Sequence, residues 1–103
     1  MSEPDPVEQR IRAALREILD PEAGMNIVDM GLIYGIERSQ QRVLISMTMT
    51  TRACPMGAYL TDRVKAAVQQ AWPDGGVDVE LVWDPPWDVH MMSDYARKHF
   101  GWS

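Results

Sequence analysis

Two stretches of this chain alternate in a strand period, and a helical stripe lies between them. Val43, Ile45, Met47 and Met49 alternate in position with Leu44, Ser46, Thr48 and Thr50. Val77, Val79, Leu81 and Trp83 alternate with Asp78 and Glu80. A period of two places each apolar set on one face of a strand. Between them Leu60, Val64, Ala67, Val68 and Ala71 recur at helical spacing and form one apolar stripe. Strand, helix and strand in that order make a crossover unit with parallel strands. The middle of the chain is therefore confined to a sheet with a helix packed on it.

The flanking segments complete the architecture. A helix is expected from Pro6 to Leu19, with Asp5 as N-cap, Pro6 as first residue and Glu8 three after the cap. Val7, Ile11, Ala14, Leu15, Ile18 and Leu19 form its apolar face, and Pro21 ends it. Glu22 to Gly31 reads as a loop and Leu32 to Arg38 as a strand. Ser39-Gln40-Gln41 is a short hairpin connection into a strand from Arg42 to Thr50. After a loop from Thr51 to Cys54, a second helix runs from Pro55 to Trp72 and is stopped by Pro73-Asp74-Gly75-Gly76. The next strand spans Val77 to Trp83, and Asp84-Pro85-Pro86-Trp87 must leave the sheet. Ser93 caps a short last helix that ends at Phe100, with Gly101 as its stop. The expected order is α-β-β-α-β-α, an α/β (α+β) fold with a mixed three-stranded sheet. Both long helices lie on one face of it. Residues 1–103 suit one domain.

Charge and cysteine content narrow the function. Lys plus Arg is 10 and Asp plus Glu is 15, a net charge of −5. Such a surface repels phosphate backbones and anionic lipid, so neither nucleic acid nor membrane is an expected partner. No apolar run approaches the roughly 20 residues of a membrane span. The start, Met-Ser-Glu-Pro-Asp, is polar and acidic and does not read as a secretory signal. The expected location is cytoplasmic. One cysteine forbids an internal disulfide and suits a reducing compartment. His90 and His99 make no metal-spacing motif with it, and a closed zinc site needs four ligands.

Cys54 is the sharpest candidate. It directly precedes Pro55, a position that reads as a helix N-cap, where unpaired N–H groups favour an anion. A thiol there is expected to have a lowered pKa, and Arg52 adds a positive charge nearby. The competing reading is a small buried hydrophobe. Asp20, Glu22 and Asp29 form a second cluster, able to hold a metal, accept a proton or bind a partner. The alternative is a helix stop with loop hydrogen bonds, which for Asp20 is the preferred reading. Thr48 and Thr50 are placed on the face of the middle strand away from the helices, running toward Cys54. They suit hydrogen bonding to a thiolate or sulfide, and strand propensity explains them equally well. Trp83 reads as core, and Trp87 is open between core and a partner-docking surface.

In combination these residues resemble a known family. Asp20-Pro21-Glu22, then Ile27-Val28-Asp29-Met30-Gly31-Leu32-Ile33-Tyr34, then Met47-Thr48-Met49-Thr50 with Cys54-Pro55, then Trp83-Asp84-Pro85-Pro86-Trp87 and Met92-Ser93 are similar to the SufT-like and PaaD-like iron–sulfur assembly domains. The resemblance runs from about Val7 to Gly101. It implies a domain like the C-terminal domain of NifU-type scaffolds, and a role in maturing iron–sulfur clusters or delivering them to client proteins. The family's cysteine falls on Cys54, its acidic positions on Asp20, Glu22 and Asp29, and its threonines on Thr48 and Thr50. Arg52-Ala53 departs from the proline or glycine often found before the cysteine, and Asp88 replaces a common threonine. PaaD-like members, which support an aromatic-acid (phenylacetate) oxygenase, carry further cysteines in a C-terminal extension. This chain has none, which favours the short SufT-like branch.

Three functions follow as expectations. The first is an accessory factor for cluster assembly or delivery, the second a thiol enzyme, and the third an adaptor that recognises clients without touching a cluster. No histidine lies near Cys54 in sequence to act as a base, which weakens the enzyme. An iron–sulfur cluster usually takes four cysteines and this chain offers one. A transient cluster on Cys54 would be shared between chains or with a partner. Expected partners are iron–sulfur client or scaffold proteins, or a second copy of the chain through an open sheet edge.

Overall fold

Asp5 sets the start of the first helix in the way its position predicts. In the computed structural model, which describes residues 5–21, 23–50 and 57–101, Asp5 is extended and its side chain accepts from the Val7 N–H at 3.0 Å. This satisfies one unpaired donor of α1 (Pro6–Leu15). The same carboxylate binds Arg38 from the first strand, and that bond holds it below the usual carboxylate range. The Arg38 guanidinium also lies 5.7 Å from the centre of the Trp72 ring, so one arginine ties the helix start to the end of the second helix.

The sheet contains β1 (Ile33–Arg38), β2 (Arg42–Met47) and β3 (Gly76–Leu81) in that spatial order. β1 and β2 form the expected antiparallel hairpin, with an irregularity between Ile33 and Gly35. β2 and β3 run parallel, from Arg42 beside Gly76 to Met47 beside Leu81. The crossover between them is α2 (Gly57–Ala71), which packs against both α1 and β3. Ile11 and Leu15 of α1, Leu60, Val64 and Val68 of α2, and Val43, Ile45 and Met47 of β2 are all fully or almost fully buried in one core. Each such side chain contributes roughly 1.5–3 kcal/mol by leaving water. Beyond β3 come a 3₁₀ turn at Val89–Met91 and α3 (Asp94–His99). Ser93 caps α3 by accepting from the Ala96 N–H, and Gly101 follows it at a φ of 79°. The element order and mixed sheet match the sequence expectation.

Three boundaries differ by more than one residue. α1 ends at Leu15 rather than Leu19, because its last turn tightens: Glu17 donates to Ala14 and Ile18 to Leu15. Leu19 then bridges Asn26 while Ile27 donates to Ile18 and Asp20 to Met25. This small antiparallel clasp keeps Ile18 buried but turns Leu19 outward, to 56% exposure. Periodicity could not anticipate that, since the competing bonds come from residues in the next loop. β2 ends at Met47 rather than Thr50, although the Thr48 N–H still bonds the Leu32 carbonyl at 2.8 Å. β3 ends at Leu81 rather than Trp83, and Leu81 on the outer strand is exposed although it lies on the apolar side of the alternation. The start of α2 at Pro55 lies outside the described residues.

Candidate functional site

Cys54, Arg52 and Glu22 also lie outside the described residues, and with them the N-cap placement of Cys54. The chain order still brackets the cysteine: its segment joins the end of β2 to the start of α2. The candidate site is what the fold assembles around that end of β2.

Asp29 sits in the turn between the clasp and β1. The Asn26 side-chain amide donates to its Oδ2 at 2.7 Å, and its own N–H donates back to the Asn26 Oδ1 at 2.9 Å. The Asn26 bond, opposed by partial burial and aided by Ser93 and Arg16, holds the carboxyl below its usual range. The Asp29 carbonyl accepts from the Ser93 N–H at 2.9 Å. Asp29 is thus a charged carboxylate at neutral pH, locked between a reciprocal turn and the start of α3. Asp20 is nearly buried. Its carbonyl accepts from Gly24 at 2.7 Å and its carboxylate from the Ala23 N–H at 3.3 Å, as the loop reading of this residue anticipates.

Thr48 and Thr50 differ in exposure. Thr50 is exposed and Thr48 is fully buried. The Thr48 hydroxyl lies 3.5 Å from the Met49 carbonyl and stands close enough to the Tyr34 phenol to influence it. Tyr34 reaches the Pro85 carbonyl at 2.7 Å and the Met91 sulfur at 3.2 Å. Burial pushes its phenol above the ordinary tyrosine value, Thr48 draws it partly back, and the Asp84 carboxylate raises it again. Tyr34 therefore remains a proton donor at neutral pH and fastens the segment after β3 over the end of β2. Trp87 closes the same strap, its indole N–H donating to the Met30 carbonyl at 2.7 Å. Both Trp87 and Trp83 are half-buried and pack on the core. For Trp87, the indole N–H of a docking residue is already engaged within the chain.

Gly31 lets the strap close. Its φ is 78°, and a Cβ there would run into the Met91 carbonyl. An open groove of about 570 Å3 remains beside the strap, between Ile33 and Tyr34 of β1, Ser46 of β2, and Val82, Asp84 and Met91. Among the described residues no group of three or more His, Cys, Asp or Glu side chains is placed to hold a metal ion. Among them also, no helix is long and apolar enough to cross a membrane.

Sequence reasoning singled out Asp20, Asp29 and Thr48 but missed the residues that fix two of them. Asn26 was visible as an Asn-x-x-Asp spacing typical of a self-bonded turn. Tyr34 had no local signal, because its partners lie 51 and 57 residues away.

Over most of its length this chain is similar to known proteins. The description "iron-sulfur cluster assembly protein" belongs to the family whose profile matches residues 8–81. The Fe-S protein maturation auxiliary factor YitW of Bacillus subtilis is 34% identical over 96 residues, covering 92% of this chain and 94% of that protein. The Fe-S protein maturation auxiliary factor SufT of Staphylococcus aureus is 38% identical over 85 residues, covering 82% and 97%. The crystal structure of a domain of unknown function from Bacillus anthracis superposes with a TM-score of 0.87 at 34% identity, covering 92% of each chain.

Proposed function

The chain belongs to the iron–sulfur cluster assembly protein family, and from that premise we propose that it is an accessory factor in the maturation of iron–sulfur proteins. The observation that carries the reading is near end-to-end similarity to two maturation auxiliary factors, each covered over more than nine-tenths of its length. The fold supports it through what it fixes. The Asn26–Asp29–Ser93 lock and the Tyr34–Thr48–Pro85 strap make a rigid frame around the end of β2. The segment carrying Cys54 departs from that end.

In this reading Cys54 is the residue that meets iron or sulfide, as a thiolate. Asp20, Glu22, Asp29, Thr50 and Arg52 belong to its surroundings, and Thr48 acts through Tyr34 as a positioning residue. The cluster is cargo. A four-cysteine ligand set cannot come from a chain with one cysteine, so the remaining ligands come from a client, a scaffold, a second copy or a small thiol. The protein works in the cytoplasm and its partners are iron–sulfur client or scaffold proteins. Trp87 serves the strap first, and its half-buried ring is the part left to meet a partner.

Deleting the gene in the native cell tests the reading. Iron–sulfur enzyme activities are expected to fall while metal-free enzymes in the same extract keep theirs, and the restored wild-type chain is expected to return them. Unchanged iron–sulfur activities under iron limitation and oxidative stress would overturn it.

A further inference from the structure

β3 is an outer strand whose far side pairs with no described strand. Its alternation fixes which groups face outward. The Gly76 N–H bonds the Gln41 carbonyl and the Val82 N–H bonds the Met47 carbonyl, each at 2.8 Å. In a parallel ladder the residues of that parity turn both main-chain groups inward. Val77, Val79 and Leu81 therefore turn theirs outward. After β3 the chain does not fold back along this edge. It crosses instead toward β1, where Pro85 meets Tyr34 and Trp87 meets Met30.

The charge along this edge has one sign. From Ala66 to Ala96 the sequence has no lysine or arginine, while Asp74, Asp78, Glu80 and Asp84 lie in or beside β3. Asp78 is paired across the sheet with Arg42 at 2.8 Å. Glu80 is exposed, and among the described residues no cation pairs with it. Asp78 and Glu80 share the face away from the helices, and Val77 and Val79 pack on the core side.

We propose that the outer edge of β3 is a docking site for an extended basic segment of a partner protein, added as a fourth strand. Its lysines or arginines would stand beside Asp78 and Glu80, and β-branched residues between them would continue the Val77–Val79–Leu81 row and cover exposed Leu81. Strand addition supplies main-chain bonds for affinity and alternate side chains for choice. A second copy of this chain fits badly. Two-fold antiparallel pairing centred on Val79 sets Asp78 of one copy against Glu80 of the other, and like charges directly opposite are destabilising. The proposal deepens the maturation-factor reading by naming the chemistry of a partner, but its test does not depend on cluster chemistry.

The test uses the full chain and a capped octapeptide, Gly-Lys-Val-Lys-Val-Lys-Thr-Gly, with a control in which every lysine is glutamate. Binding is followed by amide chemical shifts and hydrogen exchange at low salt. The expected result is slowed exchange at the Val79 and Leu81 amides, affinity that falls with added salt, and no binding of the glutamate control. Glu80→Lys is expected to weaken binding about tenfold while the chain stays folded. Glu80→Gln separates lost attraction from added repulsion and is expected to fall between the two. Absence of binding, equal binding of the control, or shifts confined to another surface would overturn the proposal. The gene-deletion phenotype would then still stand or fall separately.

Discussion

Cys54→Ser is expected to abolish the rescue of iron–sulfur enzyme activity in cells lacking the protein, while changing stability by no more than about 1 kcal/mol. The asymmetry follows from what the two side chains share. Serine is close to cysteine in size and is the better helix N-cap, so at the position directly before Pro55 folding loses little. What disappears is a sulfur able to become a thiolate, which is both nucleophile and metal ligand. Thermal melting measures the first quantity and complementation the second. Labelling with a thiol reagent adds a third: a thiolate-prone Cys54 reacts faster than free cysteine at neutral pH. A buried structural cysteine gives the reverse pattern, with slow labelling and a serine variant that melts early because its hydroxyl lacks a partner. A serine variant that folds and fully complements would also contradict the assignment.

A large stability loss is expected at Gly31→Ala. The backbone there is left-handed, at a φ of 78°, which costs an L-residue roughly 1–2 kcal/mol. The added methyl meets the Met91 carbonyl, and such overpacking costs about 1–3 kcal/mol more. The expected total is about 3 kcal/mol, or a melting point lower by roughly 15 °C for a domain of this size. Gly24→Ala is the internal control. Its φ of 70° is similarly left-handed, but nothing lies within 4 Å of the added methyl, so only the conformational cost remains. Equal losses at the two glycines would show that contact between Gly31 and the strap does not matter.

The parts of the fold legible in the sequence are those governed by near neighbours. Val43, Ile45 and Met47 are buried as their alternation predicts, because a strand sandwiched on one face has a period of two wherever it occurs. Asp5 and Ser93 cap helices as their spacing to the next apolar residues predicts. What was not legible depends on distant partners. Leu19 was placed in the core by helical spacing, yet the clasp with Asn26 turns it to solvent. The strand period puts Thr48 on the face away from the helices, and there Tyr34 and the strap that Tyr34 holds cover it. Of the acidic candidates, Asp29 proved to be held by Asn26 and Ser93, a bond pattern that needs both the local turn and the late helix. Cys54 is legible from its neighbours in sequence, Arg52 and Pro55, and from the family resemblance.

Purified components test whether this chain promotes the loading of clusters it does not itself retain. An iron–sulfur enzyme stripped of its cluster is incubated anaerobically with a loaded scaffold protein, with and without this chain, while activity is followed in time. Iron bound to the chain is counted after gel filtration. Expected are faster activation with the wild-type chain, no acceleration with Cys54→Ser, and no stable cluster on an isolated monomer, whose single cysteine cannot supply the usual four ligands. Activation at the same rate without the chain, or a purified monomer that keeps a full four-iron cluster, would contradict it.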